Sequence, residues 1–459
     1  MTIDTYKKLF KDQEKALEEQ FFEFLRYPSI SADIAFRPEL KACSQWVEKF
    51  VKEAGFTVTT WNADDAPVLF AQNMQAGPEH PTLLIYNHYD VQPVDPIDLW
   101  ESKPFAPTRK GNSIVARGAQ DNKGQCFYVL SSLRALYQKF GKFPLNIKLI
   151  IEGEEESGSK SLPKIIQEKK QELKADYLLV VDVGMRNATT PAITLGTRGM
   201  ACFTVDVTSS NSDLHSGVHG GMVYNPLHAL VEILASLRDN NGRIAIPGFY
   251  EAVLAPSSDE MQYISLAFDT QEFAEEFGCL PTGGEKGFSP LERSWLRPTL
   301  EINGITGGYG GPGSKTVIPA KAIAKLSCRL VPDQDPRIIA ERIKLFIESK
   351  AAPGYKVSCQ VHEGMGKPVR TSPNSPVVKA LTEACEKVYH KKAEYIYEGA
   401  SIPIISELAQ AADAEVAFFG LGLASDKIHA PNENFSWDRI ENGFVIMCDA
   451  LTTLGSAKK

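Results

Sequence analysis

The sequence of 459 residues predicts an α/β fold with a largely parallel β-sheet sandwiched by helices. The first observation is that short, nearly continuous apolar segments alternate with segments of helical period in the first half of the chain. Strands that are apolar on both faces are typical of a parallel sheet covered by helices. The second is that apolar residues make up 43% of the chain and charged residues 23%, which excludes a disordered or collagen-like protein.

The elements of the first half follow from these periods. Apolar side chains recur at spacings of three and four in residues 121–140, which predicts a helix. Residues 82–86 and 147–151 are short apolar segments bounded by polar residues, which predicts buried strands. The same reasoning predicts the remaining elements: helices at 5–24, 39–54 and 162–172, and strands at 56–61 and 177–181.

The pattern changes after Gly196. Six elements are predicted there: a strand at 202–207, a helix at 226–238, strands at 300–305 and 321–331, a helix at 335–349 and a strand at 355–362. This order of strands and helices is the signature of a ferredoxin-like α+β unit. The first pattern then resumes, with helices at 377–389 and 405–411 and a strand at 415–421. We therefore predict one discontinuous domain, 1–196 and 366–459, interrupted by a small domain, 197–365, with an extra insertion near 241–298.

Charge and cysteine content limit the partners and the compartment. The chain has 49 basic and 57 acidic residues and a net charge of −8, which argues against nucleic acid or an anionic membrane as a partner. No apolar stretch approaches the ~20 residues of a membrane-spanning helix, and the charged N-terminal segment lacks the apolar core of a signal peptide. The eight cysteines are dispersed without a Cys-x-x-Cys pair, so we expect reduced thiols and a cytoplasmic location.

Histidines and carboxylates gather near the ends of the predicted strands. They are His88, Asp90, Asp121, Glu154, Glu155, Glu156, Asp182 and His429. Ligand sites of open α/β sheets lie outside the carboxyl ends of the strands, so these side chains should share one crevice. Crowded carboxylates repel one another, and a pair of divalent metal ions held by His and Asp or Glu would remove that repulsion. Taken singly, the same residues are ordinary turn, cap or surface residues, and the residues alone leave both interpretations open.

Five motifs occur in an order and spacing that resemble a known enzyme family. They are His88-Tyr89-Asp90, Arg117-Gly118-Ala119-Gln120-Asp121-Asn122-Lys123-Gly124, Glu155-Glu156-Ser157-Gly158-Ser159, Asp213-Leu214-His215-Ser216-Gly217 and Ile428-His429. Over essentially its whole length the chain resembles the di-zinc exopeptidases, which include carnosinase-like cytosolic dipeptidases, carboxypeptidase G, aminoacylase and succinyl-diaminopimelate desuccinylase. The motifs at 89–93, 315–319 and 329–332 make it most similar to the carnosinase-like, nonspecific cytosolic dipeptidase branch.

This resemblance implies a zinc-exopeptidase-like catalytic domain that binds two divalent metal ions, with Zn²⁺ expected and Mn²⁺ or Co²⁺ as alternatives. His88 and Asp182 would hold one ion, and Glu156 and His429 would hold the other. Asp121 would bridge the two ions. The inserted domain would be a dimerisation or lid domain, which makes a homodimer the expected assembly.

The resemblance also implies roles beyond the metal ligands. Asp90 would fix the tautomer of His88, and Glu155 would be the general base. His215, contributed by the partner subunit, would bind the substrate oxyanion. Arg329 and the loop around Ser401 would hold the terminal carboxylate of the substrate, with the substrate-binding residues Lys315 and Thr316 nearby.

Two positions depart from the family pattern. Asn122 stands where many relatives have a second aspartate, and we expect it to have no ligand role. Ala400 stands in the loop of residues 398–403 where close relatives have glycine, which concerns the approach of the main chain to the substrate carboxylate.

The favoured hypothesis is a metallo-dipeptidase that hydrolyses the peptide bond of dipeptides or short peptides with a free terminal carboxylate. The insertion at 241–298 favours it because it resembles the dipeptidase branch. The alternative is an N-acyl or N-succinyl amino acid amidohydrolase, which would use the same metals on a different acyl group. A metal-free binding or scaffold protein is disfavoured, because all five metal positions and Glu155 are present.

Overall fold

The computed structural model describes residues 2–62 and 65–456. The strands are β1 (Thr57–Trp61), β2 (Val68–Asn73), β3 (Thr82–His88), β4 (Thr108–Lys110), β5 (Ser113–Val115), β6 (Asn146–Glu152), β7 (Tyr177–Val180), β8 (Ala192–Thr197), β9 (Gly199–Thr208), β10 (Leu214–His215), β11 (Thr299–Gly307), β12 (Val317–Ile318), β13 (Lys321–Leu330), β14 (Lys356–Val361), β15 (Val369–Arg370), β16 (Glu394–Glu398), β17 (Glu415–Phe418) and β18 (Asn434–Ser436). The helices are α1 (Ile3–Lys11), α2 (Glu14–Leu25), α3 (Arg37–Glu53), α4 (Lys123–Phe140), α5 (Leu162–Glu168), α6 (Lys170–Leu173), α7 (Ser216–His219), α8 (Pro226–Ala235), α9 (Ser258–Tyr263), α10 (Thr270–Phe277), α11 (Pro290–Trp295), α12 (Pro336–Glu348), α13 (Pro376–Tyr389), α14 (Ile404–Ala412) and α15 (Trp437–Ser456).

The chain folds into two compact units. The first combines the chain up to Gly196 with Arg370–Ile396 and the chain from Ile404 onward. The second consists of Thr197–Val369 and Tyr397–Pro403. The sequence-based boundary at residue 366 differs from this division by a few residues. The short segment Tyr397–Pro403 was not expected in the second unit at all. No periodic pattern in the sequence indicates that a segment so far along the chain joins that unit.

The first unit contains a mixed sheet in the order β1-β2-β6-β3-β7-β17-β8-β15, with β16 also paired to β8. The neighbours β6, β3, β7 and β17 are parallel. The pairs β1–β2, β2–β6 and β17–β8 are antiparallel. The predicted α/β class is confirmed, and the parallel part is the four central strands. These strands are almost entirely buried, as expected of a parallel sheet covered by helices on both faces.

Helix packing in the first unit differs from expectation at both ends of the chain. The helix predicted at 5–24 is divided into α1 and α2. The long helix α15 had no sequence prediction, and it packs against α4 and α13. Gly443 allows the close approach to α4, because a Cβ atom there would lie 2.6 Å from the ring of Tyr128. The ring of Phe10 on α1 contacts Trp437 and Phe444 of α15, at centroid distances of 5.6 and 5.3 Å.

The second unit contains an antiparallel sheet in the order β11-β13-β9-β14. With α8 and α12, its chain order is strand, helix, strand, strand, helix, strand, so the predicted ferredoxin-like arrangement is confirmed. Alternate side chains of β13 point into the core beneath these helices, which explains the period of two in that segment. The insertion is partly helical, with capping boxes at Ser257 and Ser289 starting α9 and α11.

The cysteines and the apolar character of the helices were also the subject of expectations from the sequence. All eight cysteines are free, and all except Cys279 are buried or partly buried. Within residues 2–62 and 65–456, no helix combines the length and apolar character that crossing a membrane requires.

Candidate metal centre

The parallel strands of the first unit bring acidic and histidine side chains to one edge of the sheet. His88 is the last residue of β3, and Asp182 follows β7. Glu155 and Glu156 follow β6, the neighbour of β3 on its other side. Asp121 precedes α4, and His429 lies on the loop between β17 and β18. This is the crevice at the carboxyl ends of the strands that the sequence predicts.

His88 is fully buried and lies among three carboxylates. Its Nδ1 is 3.3 Å from Asp90 Oδ1 and 3.2 Å from the main-chain oxygen of Asp90. Its Nε2 is 3.2 Å from Asp121 Oδ1 and 3.7 Å from Asp182 Oδ2. Among the described residues this Nε2 atom has no well-aligned hydrogen-bond partner, although oxygens of two carboxylates lie near it.

His429 forms the second group. Its Nε2 is 2.9 Å from Asp121 Oδ2 and 3.3 Å from Glu156 Oε2. Asp121 therefore directs one oxygen toward each histidine. The ligand atoms of His88, Asp121 and Asp182 lie within 4.8 Å of one another, as do those of Asp121, Glu156 and His429. Two three-residue groups that share one carboxylate are the arrangement expected of a two-metal site.

The pKa shifts of these side chains indicate that the cluster has an excess of negative charge. Burial raises the pKa of Glu156 to about 7, with Asp121 adding to the effect. Burial also raises the pKa of Asp182 and of Glu155. Hydrogen bonds that His429 donates to Asp121 and Glu156 raise the pKa of His429 to about 10. Without another cation, the cluster retains protons that would be absent in water.

The donor set fits divalent cations. Imidazole nitrogen and carboxylate oxygen suit Zn²⁺, Mn²⁺ and Co²⁺, and no cysteine lies in either group. An ion beside His88 would use the Nε2 lone pair that has no hydrogen-bond partner. The chemistry of these residues therefore allows one ion in each group, with Asp121 between them.

Asp90 connects the first histidine to the segment carrying Glu155 and Glu156. Its Oδ1 accepts a hydrogen bond from the main-chain N–H of Glu155 at 3.2 Å, and its Oδ2 accepts one from that of Glu156 at 3.0 Å. The same carboxylate faces Nδ1 of His88. A carboxylate in this position keeps the proton of His88 on Nδ1 and leaves Nε2 free to bind a metal ion.

Two polar side chains orient the acidic residues, and sequence reasoning assigned a role to neither. Asn122 Nδ2 donates to Asp182 Oδ1 at 2.7 Å, and its Oδ1 accepts from Asn87 Nδ2 at 2.7 Å. Gln92 Nε2 donates to Glu156 Oε2 at 2.7 Å. Asn122 was expected to have no ligand role, and the structure gives it a positioning contact instead. Its location beside Asp121 was the only available signal.

Glu433 was also missed, although it is the residue that holds the segment carrying Asp121. Its Oε1 accepts hydrogen bonds from the main-chain N–H groups of Gln120 and Asp121, both at 3.0 Å. Its Oε2 accepts from the N–H of Gly118 and from Nη1 of Arg117, both at 2.9 Å. Both side chains of this ion pair are 1% exposed. Burial raises the pKa of Glu433, but four donors face its two oxygens, so the ionised form is the one that fits.

The predicted substrate-binding residues all belong to the second unit. His215 pairs with Val317 between β10 and β12, and the main-chain oxygen of Thr316 accepts from the N–H of Ser216. Nδ1 of His215 accepts a hydrogen bond from the N–H of Gly217 at 3.0 Å. The neutral ring must therefore carry its proton on Nε2, which suits the predicted donor role. Lys315 is exposed, with its Nζ 3.9 Å from Asp213 Oδ2.

The remaining two predicted substrate residues lie elsewhere in this unit. Arg329 is on β13 next to β9. Ser401 Oγ donates to the main-chain oxygen of Gly199 at 3.1 Å. Ala400 does not have a positive φ, so alanine is accommodated there without backbone strain.

Comparisons with known proteins identify the family of the chain. The model of the peptidase family M20/M25/M40 matches residues 84–453. A Cys-Gly metallodipeptidase of Schizosaccharomyces pombe is 30% identical, with 99% of each chain covered. A Beta-Ala-His dipeptidase of Mus musculus is 33% identical, over 82% of this chain and 77% of the relative.

Solved structures show the same likeness along the chain. The dipeptidase Dug1p from Saccharomyces cerevisiae has a TM-score of 0.85 at 25% identity, covering 99% of both chains. The M20 family metallo-carboxypeptidase Sso-CP2 from Sulfolobus solfataricus has a TM-score of 0.87 at 32% identity, covering 96% of this chain and 99% of that one. Because the family model spans most of the chain and these relatives match it nearly end to end, the chain belongs to the peptidase family M20/M25/M40.

Proposed function

We propose that the protein is a metal-dependent dipeptidase that hydrolyses the peptide bond of dipeptides or short peptides. The observation that carries the proposal is Asp121, whose two oxygens face His88 and His429 respectively. The names of two relatives, a Cys-Gly metallodipeptidase and a Beta-Ala-His dipeptidase, support a dipeptide substrate.

In this proposal His88 and Asp182 would hold one divalent ion, Glu156 and His429 would hold the other, and Asp121 would contribute to both. Zn²⁺ is the ion we expect, with Mn²⁺ or Co²⁺ able to replace it. When bound, such ions polarise the peptide carbonyl and lower the pKa of water to near neutrality. Asp90, Asn122 and Gln92 keep the ligand side chains oriented through the contacts described above.

Glu155 is the proposed general base. It neighbours Glu156 but belongs to neither ligand group, so its carboxylate is free to move a proton. Burial raises the pKa of Glu155 above its ordinary value, which is the direction that makes a carboxylate a stronger base. Glu155 would accept a proton from the attacking water and return it to the leaving amine.

The second unit would recognise the substrate and form a homodimer. Nε2–H of His215, from the partner subunit, would donate to the oxyanion, and Arg329, Thr316, Lys315 and Ser401 would hold the terminal carboxylate. A cytoplasmic location is supported by the eight free cysteines.

The test is a turnover screen on protein that has been stripped with a chelator and reloaded with Zn²⁺, Mn²⁺ or Co²⁺. Dipeptides, among them Cys-Gly and β-Ala-His, would be compared with N-acetyl and N-succinyl amino acids. We expect metal-dependent hydrolysis of dipeptides. Turnover confined to N-acyl or N-succinyl compounds would replace this proposal by the amidohydrolase alternative, and turnover that survives complete metal removal would refute both.

A further inference from the structure

Arg198 and Arg329 are arginines of the second unit that form no ion pair with any carboxylate of the described chain. Arg198 directly precedes β9, and Arg329 lies on the neighbouring strand β13. Thr299 of β11 connects them. It pairs with Arg329 in the strand register, and its Oγ1 accepts a hydrogen bond from Nη1 of Arg198 at 3.3 Å. The two cations therefore flank one threonine at one end of the sheet.

Burial makes this pair of like charges costly. Arg198 is 8% exposed. Burial and then the proximity of Arg329 lower the pKa of Arg198 to about 10. Glu398 offsets some of this charge, but its Oε1 already accepts a hydrogen bond from the N–H of Ala400. Two partly desolvated guanidinium groups without a paired carboxylate favour the binding of an anion.

Arg198 also holds the loop of residues 399–401. Its Nε donates to the main-chain oxygen of Gly399 at 2.7 Å, and its own N–H donates to that of Ala400 at 3.1 Å. Ser401 Oγ binds the next residue, Gly199. Nη2 of Arg198 has no acceptor among the residues that the structure describes. The buried guanidinium of Arg198 thus holds the 399–401 loop, and its Nη2 group can still donate a hydrogen bond to a ligand.

We propose that Arg198 is a positioning residue for the free C-terminal carboxylate of the substrate, acting through the 399–401 loop and through its charge beside Arg329. This inference rests on the proposed dipeptidase function and explains how that function would discriminate against substrates whose terminal carboxylate is blocked. Arginine suits the task because its planar fork can bind the main chain and an anion at once.

The experiment compares a dipeptide with the same dipeptide carrying a C-terminal amide. We expect the wild-type protein to prefer the free acid. In Arg198→Ala, KM for the acid should rise about 10- to 100-fold while kcat changes less than about threefold, because charge-assisted contacts are lost in binding rather than in the chemical step. The preference for acid over amide should fall by a similar factor, which a general loss of structure would not produce.

Arg342→Ala is the matched control. Arg342 also belongs to the second unit and donates to a main-chain oxygen, that of Gly248, but it has an ion pair with Glu251 at 2.6 Å. It should leave the acid-to-amide preference unchanged. If Arg198→Ala folds and keeps the wild-type preference, the inference is overturned.

Arg198→Lys tests the same role of Arg198 if the alanine variant does not fold. Lysine keeps the charge but not the fork, so KM for the acid should still rise and the preference should still fall. A folded lysine variant with wild-type KM and preference would overturn the inference. A wild-type protein that cleaves neither peptide would refute the proposed function alone, because calorimetric binding of acid and amide to the wild-type and Arg198 variants still measures the effect of Arg198 on carboxylate recognition.

Discussion

Glu433→Gln tests how the segment carrying Asp121 is held. In the native structure each oxygen of Glu433 accepts two hydrogen bonds, one pair from Gln120 and Asp121 and the other from Gly118 and Arg117. Glutamine retains one oxygen and presents an NH₂ group to the other pair of donors. Two of the four hydrogen bonds are then lost, and the buried charge of Arg117 has no carboxylate opposite it.

The magnitude follows from these contacts. Removing one partner of a buried ion pair costs about 3–5 kcal/mol, and two hydrogen bonds involving a charged group give a similar sum at about 1.5–3 kcal/mol each. We therefore expect the first unit to lose about 3–5 kcal/mol of stability. Asp121 also loses its main-chain support if the NH₂ group faces it, and loss of such support weakens metal binding about 10- to 100-fold.

Urea unfolding followed by tryptophan fluorescence measures the stability. Four of the five tryptophans, Trp46, Trp61, Trp100 and Trp437, belong to the first unit, so the signal reports mainly on that unit. Chelator competition measures the metal affinity. A loss of stability below about 1 kcal/mol, together with unchanged metal affinity, would refute the reasoning, because that is the range of an ordinary surface substitution.

Glu285→Gln provides the control. Glu285 pairs with Arg297 at 2.5 Å and is largely buried, but it lies in the second unit. The Glu285→Gln variant should lower stability without changing the metal affinity. A loss of metal binding comparable to that of Glu433→Gln would show that the effect of Glu433→Gln is not specific to Asp121.

Three further predictions follow from the candidate site. Glu155→Gln should retain both metal ions by elemental analysis while kcat falls about 10²- to 10⁴-fold, the usual contribution of a general base, and a near-normal kcat would contradict the assignment. Asn122→Ala removes the donor to Asp182 and should weaken metal binding about 10-fold or more in chelator competition, whereas an unchanged affinity would mean that the contact does not orient Asp182. His215→Ala mixed with Glu155→Gln should regain activity in verified heterodimers if the partner subunit supplies His215, and absence of recovery would show that each chain has a complete site.

Most of the fold was predictable because its signals are local. Apolar strands and amphipathic helices are recognisable within windows of a few residues, and the ferredoxin-like order of the second unit appears directly in the chain. The elements that were missed carry weaker local signals. Helix α15 is buried along most of its length, so it lacks the polar face that marks an amphipathic helix. Strands β2 and β8 were also missed, although β2 pairs with its sequence neighbour β1 as well as with β6, and β8 pairs with the distant β17.

The candidate site shows the same division. The positions of acidic and histidine residues after parallel strands predicted one crevice, and the family resemblance then implied the ligand set His88, Asp121, Glu156, Asp182 and His429. Glu433, Asn122 and Gln92 were not recognised, because each acts through one or two contacts whose geometry has no sequence pattern. The ligand and orienting roles of all these residues stay predictions, which measurements of metal content and metal affinity would test.

By itself, the sequence determined the α/β class, the ferredoxin-like order of strands and helices after Gly196 and the strand ends at which the chemistry gathers, since hydrophobic period and chain order specify all three. Only the tertiary structure decided which oxygen of Asp121 faces which histidine, and that Glu433 holds the main chain of Asp121. The physical reason is distance along the chain: that last contact joins residues 312 positions apart through a main-chain N–H that every residue except proline possesses. Such a contact depends on where the two residues lie in the folded chain, so the local sequence around either residue does not indicate it.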